Sequence, residues 1–331
     1  MAGKGSERFS GRFLTRGETS AFAHMADGYP MPSEGLGRPP ISDRLYEGMQ
    51  GIDEVPAELY AQRHVKRGLR NSGVLVGLTT ISDVHGYSKV NGMVVPDRGE
   101  LRLRGYRIGD LVRGCHDADR FGYEEIAFLL FTGSLPNQAE LDDFKARIAM
   151  RRQLPEGYLG IFPRTTYGHS IMNVLQRATL LLYAFDRDPD DTSPTHEIDV
   201  AISLLGRLPR VASIAYQASV ADREGSRLRI PPARESYTMA ETILDILRGD
   251  EGFSREESMM LDVMLMLHAE HGGGNNSTFS CRVLSSSGTD AYSSYAAALG
   301  SLKGPKHGGA NFKASEMMED IADHVHDWSS D

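Results

Sequence analysis

From Gly109 almost to the end of the chain, apolar residues recur at three- and four-residue spacing, and this period restricts the sequence to a helical fold. FGYEEIAFLLFTGSLPN carries Ile126, Leu129, Leu130 and Phe131 on a helical period, then Gly133 as a stop and Leu135-Pro136 beyond it. NQAELDDFKARIAMRRQ, HSIMNVLQRATLLLYAFD, HEIDVAISLLGRLPRVASIAYQASVADREG and TMAETILDILRG repeat the theme, each broken by Gly, Pro or Asp. Strands do not alternate with these helices, which argues against a doubly wound sheet, and no fixed repeat suggests a solenoid. The strand signal lies upstream, where GVLVGLTTISDVHGY and GELRLRGYRI read as short strands or a small hairpin. Residues 1–44 have no period and read as a mobile extension. The segment over 45–67 reads as two short helices broken at Val55-Pro56. The expected class is mostly α.

A chain of 331 residues can bury a large core. Its formal charge of −9 leaves no basic excess for neutralising phosphates, which argues against a nucleic-acid partner. Two cysteines, Cys115 and Cys281, make a disulfide framework improbable and point to a reducing cytoplasm. No run reaches the ~18 apolar residues of a membrane span, and MAGKGSERFSGRF lacks a signal-peptide core.

Chemistry concentrates in Leu267 to Asn311. EESMMLDVMLMLHAEH is nearly continuously apolar from Met259 to Leu267 and reads as a helix buried on most sides. His268 and His271 are expected in its last turn, with Gly272, Gly273 and Gly274 ending it. A helix C-terminus favours imidazolium, which suits an anionic ligand, and Asn275, Asn276 and Ser277 add polar groups to the same corner. Three readings compete here. They are a hydrogen-bonded structural histidine, an anion or carbonyl site, and a zinc site. Zinc is the weakest, because HAEH lacks the HExxH spacing and only Cys281 is a nearby third ligand. Neither glycine-rich phosphate motif is present, and no metal is expected.

Between the clusters, GTDAYSSYAAALGSL is a small-residue helix suited to close packing within the subunit or across a subunit boundary. GPKHGGAN then places His307 just before the amphipathic FKASEMMEDIADHVHDW, near a helix N-terminus. The macrodipole there disfavours imidazolium, leaving a neutral ring able to donate to a carbonyl that turns enolate-like. Gly308 and Gly309 allow close backbone approach. Lys303, Lys306 and Lys313 gather positive charge that could attract an anionic cofactor, though each singly suits a solvated face.

These residues resemble the citrate synthase family. The resemblance rests on the HAEHG helix end, the Asn and Ser that follow, the small-residue helix and the GPKHGGAN turn, in that order. Upstream, GVLVGLTTISDVHGY with GELRLRGYRIGDLV is similar to the family's hairpin and YRGY-type motif, and FGYEEIAFLLFTGSLPNQAELDDF to its FEEVAYLLLYGxLP segment. About residues 55–331 are covered. The resemblance implies a citrate-synthase-like multi-helical large domain over 45–306 with a short N-terminal β-hairpin, and the start of the small domain over 307–331. It implies a homodimer that condenses acetyl-CoA with oxaloacetate as a tricarboxylic acid cycle transferase, acetyl-CoA being a co-substrate and no cofactor staying bound. His307 and His271 are then catalytic, the first holding the thioester carbonyl and the second oxaloacetate, while Asn275, Ser277, Gly308 and His268 line the substrate site.

The family's general-base Asp, its GxGH histidine, its DPR segment and later arginines have no counterpart before Asp331. Asp320, Asp323, Asp327, His324 and His326 sit in no matching motif and read as a solvated face. The expectation is a C-terminally truncated chain that does not turn over alone. Alternatives are 2-methylcitrate synthase using propionyl-CoA, which one methylene worth ~1–3 kcal/mol does not separate, and a non-catalytic binding or assembly subunit of the same fold.

Overall fold

A computed structural model of the chain describes residues 81–162, 170–272 and 275–325, together with Thr79 and the short pairings β1 (Lys66–Arg67) and β2 (Val74–Leu75). The expected extension over 1–44 and the helices over 45–67 lie outside these, apart from the β1 backbone. Among the described residues the regular structure begins with an antiparallel hairpin of β3 (Ser82–Val90) and β4 (Met93–Leu103), closed by the short β5 (Tyr106–Arg107) in the order β3-β4-β5. The sequence reading located the hairpin but not its turn, which is Asn91-Gly92 with φ of 51° and 80°. Both residues need positive φ in a two-residue hairpin turn, and Asn-Gly meets that requirement.

Eleven helices follow among the described residues. They are α1 (Ile108–Asp117), α2 (Tyr123–Thr132), α3 (Gln138–Arg151), the single turn α4 (Tyr158–Ile161), α5 (Ile171–Leu181) and α6 (Pro194–Glu224). Then come α7 (Met239–Arg248), α8 (Arg255–His268), α9 (Asn276–Ser285), α10 (Ala291–Leu302) and α11 (Gly309–His324). The mostly helical reading is borne out. Gly133 ends α2 in the left-handed conformation, as its place after the apolar period requires. Asn137 and Glu140 start α3 with a reciprocal capping box, and Thr238 with Glu241 and Ser254 with Glu257 do the same for α7 and α8.

The 31-residue α6 is the central strut and continues past an internal proline, Pro209. Around it Val200, Leu204, Val211 and Ile214 pack with Val174 and Ala178 of α5, Tyr292 of α10, and Tyr158. On another face Ile198 and Ile202 meet Phe128 of α2, Phe144 and Ile148 of α3, and Met239. Gly206 lets α6 cross α3 closely, since a Cβ there would stand 2.7 Å from the Ile148 carbonyl oxygen. A third cluster joins Leu103 of β4 to Leu111 and Cys115 of α1, Ile126 and Leu129 of α2, and Met266 of α8. It anchors the hairpin base and α8 to one another.

Two buried carboxylates cap helices that are distant in sequence. Asp262 of α8 accepts from the backbone N–H groups of Gly122 (2.7 Å) and Tyr123 (3.2 Å) at the start of α2. Glu124 accepts from the Met239 N–H at 2.8 Å, at the start of α7. Each meets the unpaired donors and positive end of a helix N-terminus, which offsets part of the cost of burying charge. Burial still dominates at Asp262, whose carboxyl is pushed up to about 6.

One expectation needs correction. The apolar run of α8 does not signal burial on most sides: Ser258, Asp262 and Met266 are buried, whereas Met260, Met264 and Leu267 are 68%, 50% and 44% exposed. Within one chain only the face toward α1, α2 and α7 is covered. No helix among the described residues is long and apolar enough to cross a membrane.

Candidate active site

The segment with the histidines is built on the antiparallel pair α9 and α10. Because α10 runs back along α9, the start of α9 lies beside the end of α10, and Asn276 Nδ2 donates to Ser301 Oγ at 2.7 Å across that junction. At Gly300 a Cβ would stand 2.5 Å from Gln176 of α5, so the small-residue helix packs closely within the chain.

Asn275 caps α9. Its Oδ1 accepts from the N–H groups of Ser277 (2.8 Å) and Thr278 (3.0 Å). That fixes the amide orientation, so the group 3.3 Å from His271 Nε2 is the donor Nδ2. The His271 ring therefore accepts at Nε2 and, when neutral, carries its proton on Nδ1. His271 is exposed and lies three residues beyond the end of α8 rather than in its last turn. The place in the last turn of α8 consequently belongs to His268. His268 Nδ1 donates to the Met264 carbonyl at 2.7 Å, so this side chain satisfies its own helix end.

His307 is half-buried in the turn between α10 and α11, two residues before α11 begins, as the sequence placed it. Its N–H donates to the Gly304 carbonyl at 2.9 Å, and Gly308 N–H donates to the Leu302 carbonyl at 3.0 Å. His307 Nε2 shares a 2.9 Å hydrogen bond with Ser277 Oγ, thirty residues away in sequence. Gly308 has a packing reason beyond the expected substrate approach. A Cβ there would stand 2.3 Å from the Leu302 carbonyl oxygen, which any side chain would force apart.

Of the expected residues, the structure thus joins Asn275 to His271 and Ser277 to His307, with both asparagine and serine on the first turn of α9. His268 instead turns back onto its own helix. Asp320 is exposed and lies 3.3 Å from His324, as a solvated face requires, whereas His326 and Asp327 lie outside the described residues. Burial pushes the Cys281 thiol up, and among the described residues no three His, Cys, Asp or Glu side chains gather as metal ligands. A cavity of about 180 Å³ between α1 and α8 is lined by Cys115, Asp262 and Met266 among others, and by none of these site residues. The sequence reading missed the Asn276–Ser301 clasp. Nothing in the residue pattern pairs positions on two antiparallel helices before their register is known.

Residues 68–331 match the family described as "Citrate synthase, C-terminal domain". Over 270 residues the chain is 33% identical to 2-methylcitrate synthase 1 of Corynebacterium glutamicum, covering 80% of the chain and 64% of that relative. It is 34% identical over 263 residues to a citrate synthase of Haloferax volcanii, covering 78% and 62%. Among solved structures, a citrate synthase from Pyrobaculum aerophilum superimposes with a TM-score of 0.64 at 28% identity, covering 78% of the chain and 63% of that structure. The chain belongs to the citrate synthase family. It spans 64% and 62% of the lengths of the two curated relatives above.

Proposed function

We propose that the chain serves a citrate-synthase-type condensation of acetyl-CoA with oxaloacetate, giving citrate and CoA. The observation that carries this reading is the paired arrangement Asn275–His271 and Ser277–His307 on one helix start. In this reading His271, accepting at Nε2, presents Nδ1–H to oxaloacetate. Ser277 donates to His307 Nε2, so His307 presents Nδ1–H to the thioester carbonyl. In the family's reaction a general-base Asp takes a proton from the acetyl methyl group, and no motif of this chain matches that base. The part read for His307 is to donate to the carbonyl as it gains enolate charge, where a preorganised donor is typically worth ~3–4 kcal/mol. The enol carbon then attacks the oxaloacetate ketone, and water cleaves the citryl thioester to release CoA. Gly308 keeps the turn close to α10, and so sets where the imidazole stands.

The test is calorimetric titration with oxaloacetate followed by a thiol-release assay. Micromolar oxaloacetate binding that His271→Ala abolishes supports the reading; no binding to the unaltered chain defeats it. Binding without thiol release fits both a chain that does not turn over alone and the non-catalytic binding subunit, whereas thiol release at the rate of an intact enzyme removes both. A relative named 2-methylcitrate synthase at 33% identity favours propionyl-CoA as the second substrate to assay. The ratio of kcat/KM for the two thioesters decides between them.

The same proposal includes a homodimer. Met260, Met264 and Leu267 stand at i, i+4 and i+7 on α8, an apolar stripe that the single chain leaves uncovered. Light scattering should give twice the chain mass, and a Met264→Glu variant should shift it toward the monomer. A monomer at all concentrations for the unaltered chain removes this part.

A further inference from the structure

The turn that carries His271 is tied to the β-hairpin by a contact outside both histidine pairs. Glu270 Oε1 accepts from the Gly272 N–H at 2.6 Å, bridging from residue i to i+2 and enclosing His271 in a closed loop. The same oxygen accepts from Ser82 Oγ at 3.0 Å. Ser82 is the first residue of β3, is 9% exposed, and is held by the ladder opposite Leu103, whose side chain is in the core. Its hydroxyl therefore has a position set by the sheet and not by the turn. Gly272 has φ of +111°, and a Cβ there would lie 3.5 Å from Val84 of the same strand, so the turn runs closely along β3.

From this geometry we infer that Ser82 and Glu270 are positioning residues for His271. Glu270 fixes the backbone that aims the His271 side chain, and Ser82 fixes Glu270 relative to the hairpin. Asn275 holds the other end of the ring. The imidazole is thereby held at its backbone from β3 and at Nε2 from α9, which leaves one orientation for Nδ1–H. Hydrogen bonds to a carboxylate are among the stronger ones, and two on a single oxygen resist rotation of the side chain. Neither residue touches the ligand in this scheme; both act through the ring. The inference rests on the proposed oxaloacetate role of His271 for its functional consequence, but its structural content is independent of that role.

The experiment compares Ser82→Ala, Ser82→Thr and Glu270→Ala with the unaltered chain. Imidazole ¹⁵N shifts from histidine-selective labelling are read alongside melting temperature and oxaloacetate Kd. His271 should report Nδ1–H with an accepting Nε2 in the unaltered chain. It should report averaged tautomers in Ser82→Ala and Glu270→Ala, and Ser82→Thr, which keeps the hydroxyl, should restore the first pattern. Oxaloacetate binding should weaken about tenfold in the two alanine variants. Unchanged His271 shifts in a folded Ser82→Ala overturn the inference, even if its melting temperature falls, because the contact would then be a structural tie alone. Failure of the unaltered chain to bind oxaloacetate would defeat the proposed function while the ring shifts still decide the positioning role.

Discussion

Asn276 and Ser301 are joined by a 2.7 Å hydrogen bond, and this clasp between the start of α9 and the end of α10 sets the spacing at which Ser277 meets His307. One residue after Asn276 comes the serine, and six residues after Ser301 comes the histidine. After Leu302 the chain leaves α10 in a hydrogen-bonded turn, and that turn brings His307 back to the first turn of α9.

Where thiol release is measurable, His307→Ala should lower its rate about 10²–10³-fold, the usual cost of one oxyanion donor. Ser277→Ala should lower it about tenfold, since the ring remains but loses its partner. Neither change removes a core contact, so melting temperatures should stay within a few degrees. Equal and measurable rates for His307→Ala and the unaltered chain would remove the proposed carbonyl-holding role.

Asn275 has two tasks that one substitution separates. Asn275→Asp keeps the oxygen that accepts from Ser277 and Thr278 N–H, so the cap and the melting temperature should hold. It replaces the donor facing His271 with an acceptor, so the ring should move its proton toward Nε2 and oxaloacetate binding should weaken. Asn275→Ala should lose both, with about 1 kcal/mol of helix capping. Calorimetry and imidazole shifts check the pair; tight binding by the Asp variant would contradict it.

Gly308→Ala should act by sterics alone. The Gly308 φ of −74° is open to any residue, but the added Cβ would meet the Leu302 carbonyl oxygen at 2.3 Å. The turn must shift and carry His307 with it, at a cost of about 1–3 kcal/mol. Denaturant melts and the His307 ring shifts should both change; an unaltered melt would show that the turn relaxes freely.

Asp262 makes a pH signature of opposite sign to the usual carboxylate. Burial raises its folded-state pKa from 3.8 to about 6, so the folded chain holds the proton more tightly than the unfolded one. Its favourable contribution is fully present below the unfolded value and is lost as pH rises through about 6. The span is roughly 3 kcal/mol at 1.36 kcal/mol per pH unit. The stability difference between the unaltered chain and Asp262→Asn, followed by denaturant melts from pH 4 to 8, should therefore fall with rising pH. A difference that rises instead would mean that the Gly122 and Tyr123 N–H groups outweigh burial.

The helical class, the Gly133 stop, the capping boxes and the place of His307 before a helix were all legible in the sequence. These depend on residues within a turn or two of one another, where spacing and side-chain chemistry suffice. The run Met259–Leu267 shows where that stops. Its composition says apolar, yet which faces are covered depends on the neighbours that reach it, and in this chain Met260, Met264 and Leu267 remain outside. His271 shows the same limit: HAEHGGG does not reveal whether its second histidine is inside the helix or beyond it.

The sequence by itself determined the residue types of the site and the family to which they belong, because motif and order are properties of one strand of text. Tertiary structure decided which of those residues meet. Ser277 reaches His307 because α9 and α10 pack antiparallel, and Ser82 reaches Glu270 across 188 positions because the core around Leu103 and Met266 holds the hairpin base against α8. Contacts at such separations follow from packing that buries apolar surface over the whole chain, and no local pattern encodes them.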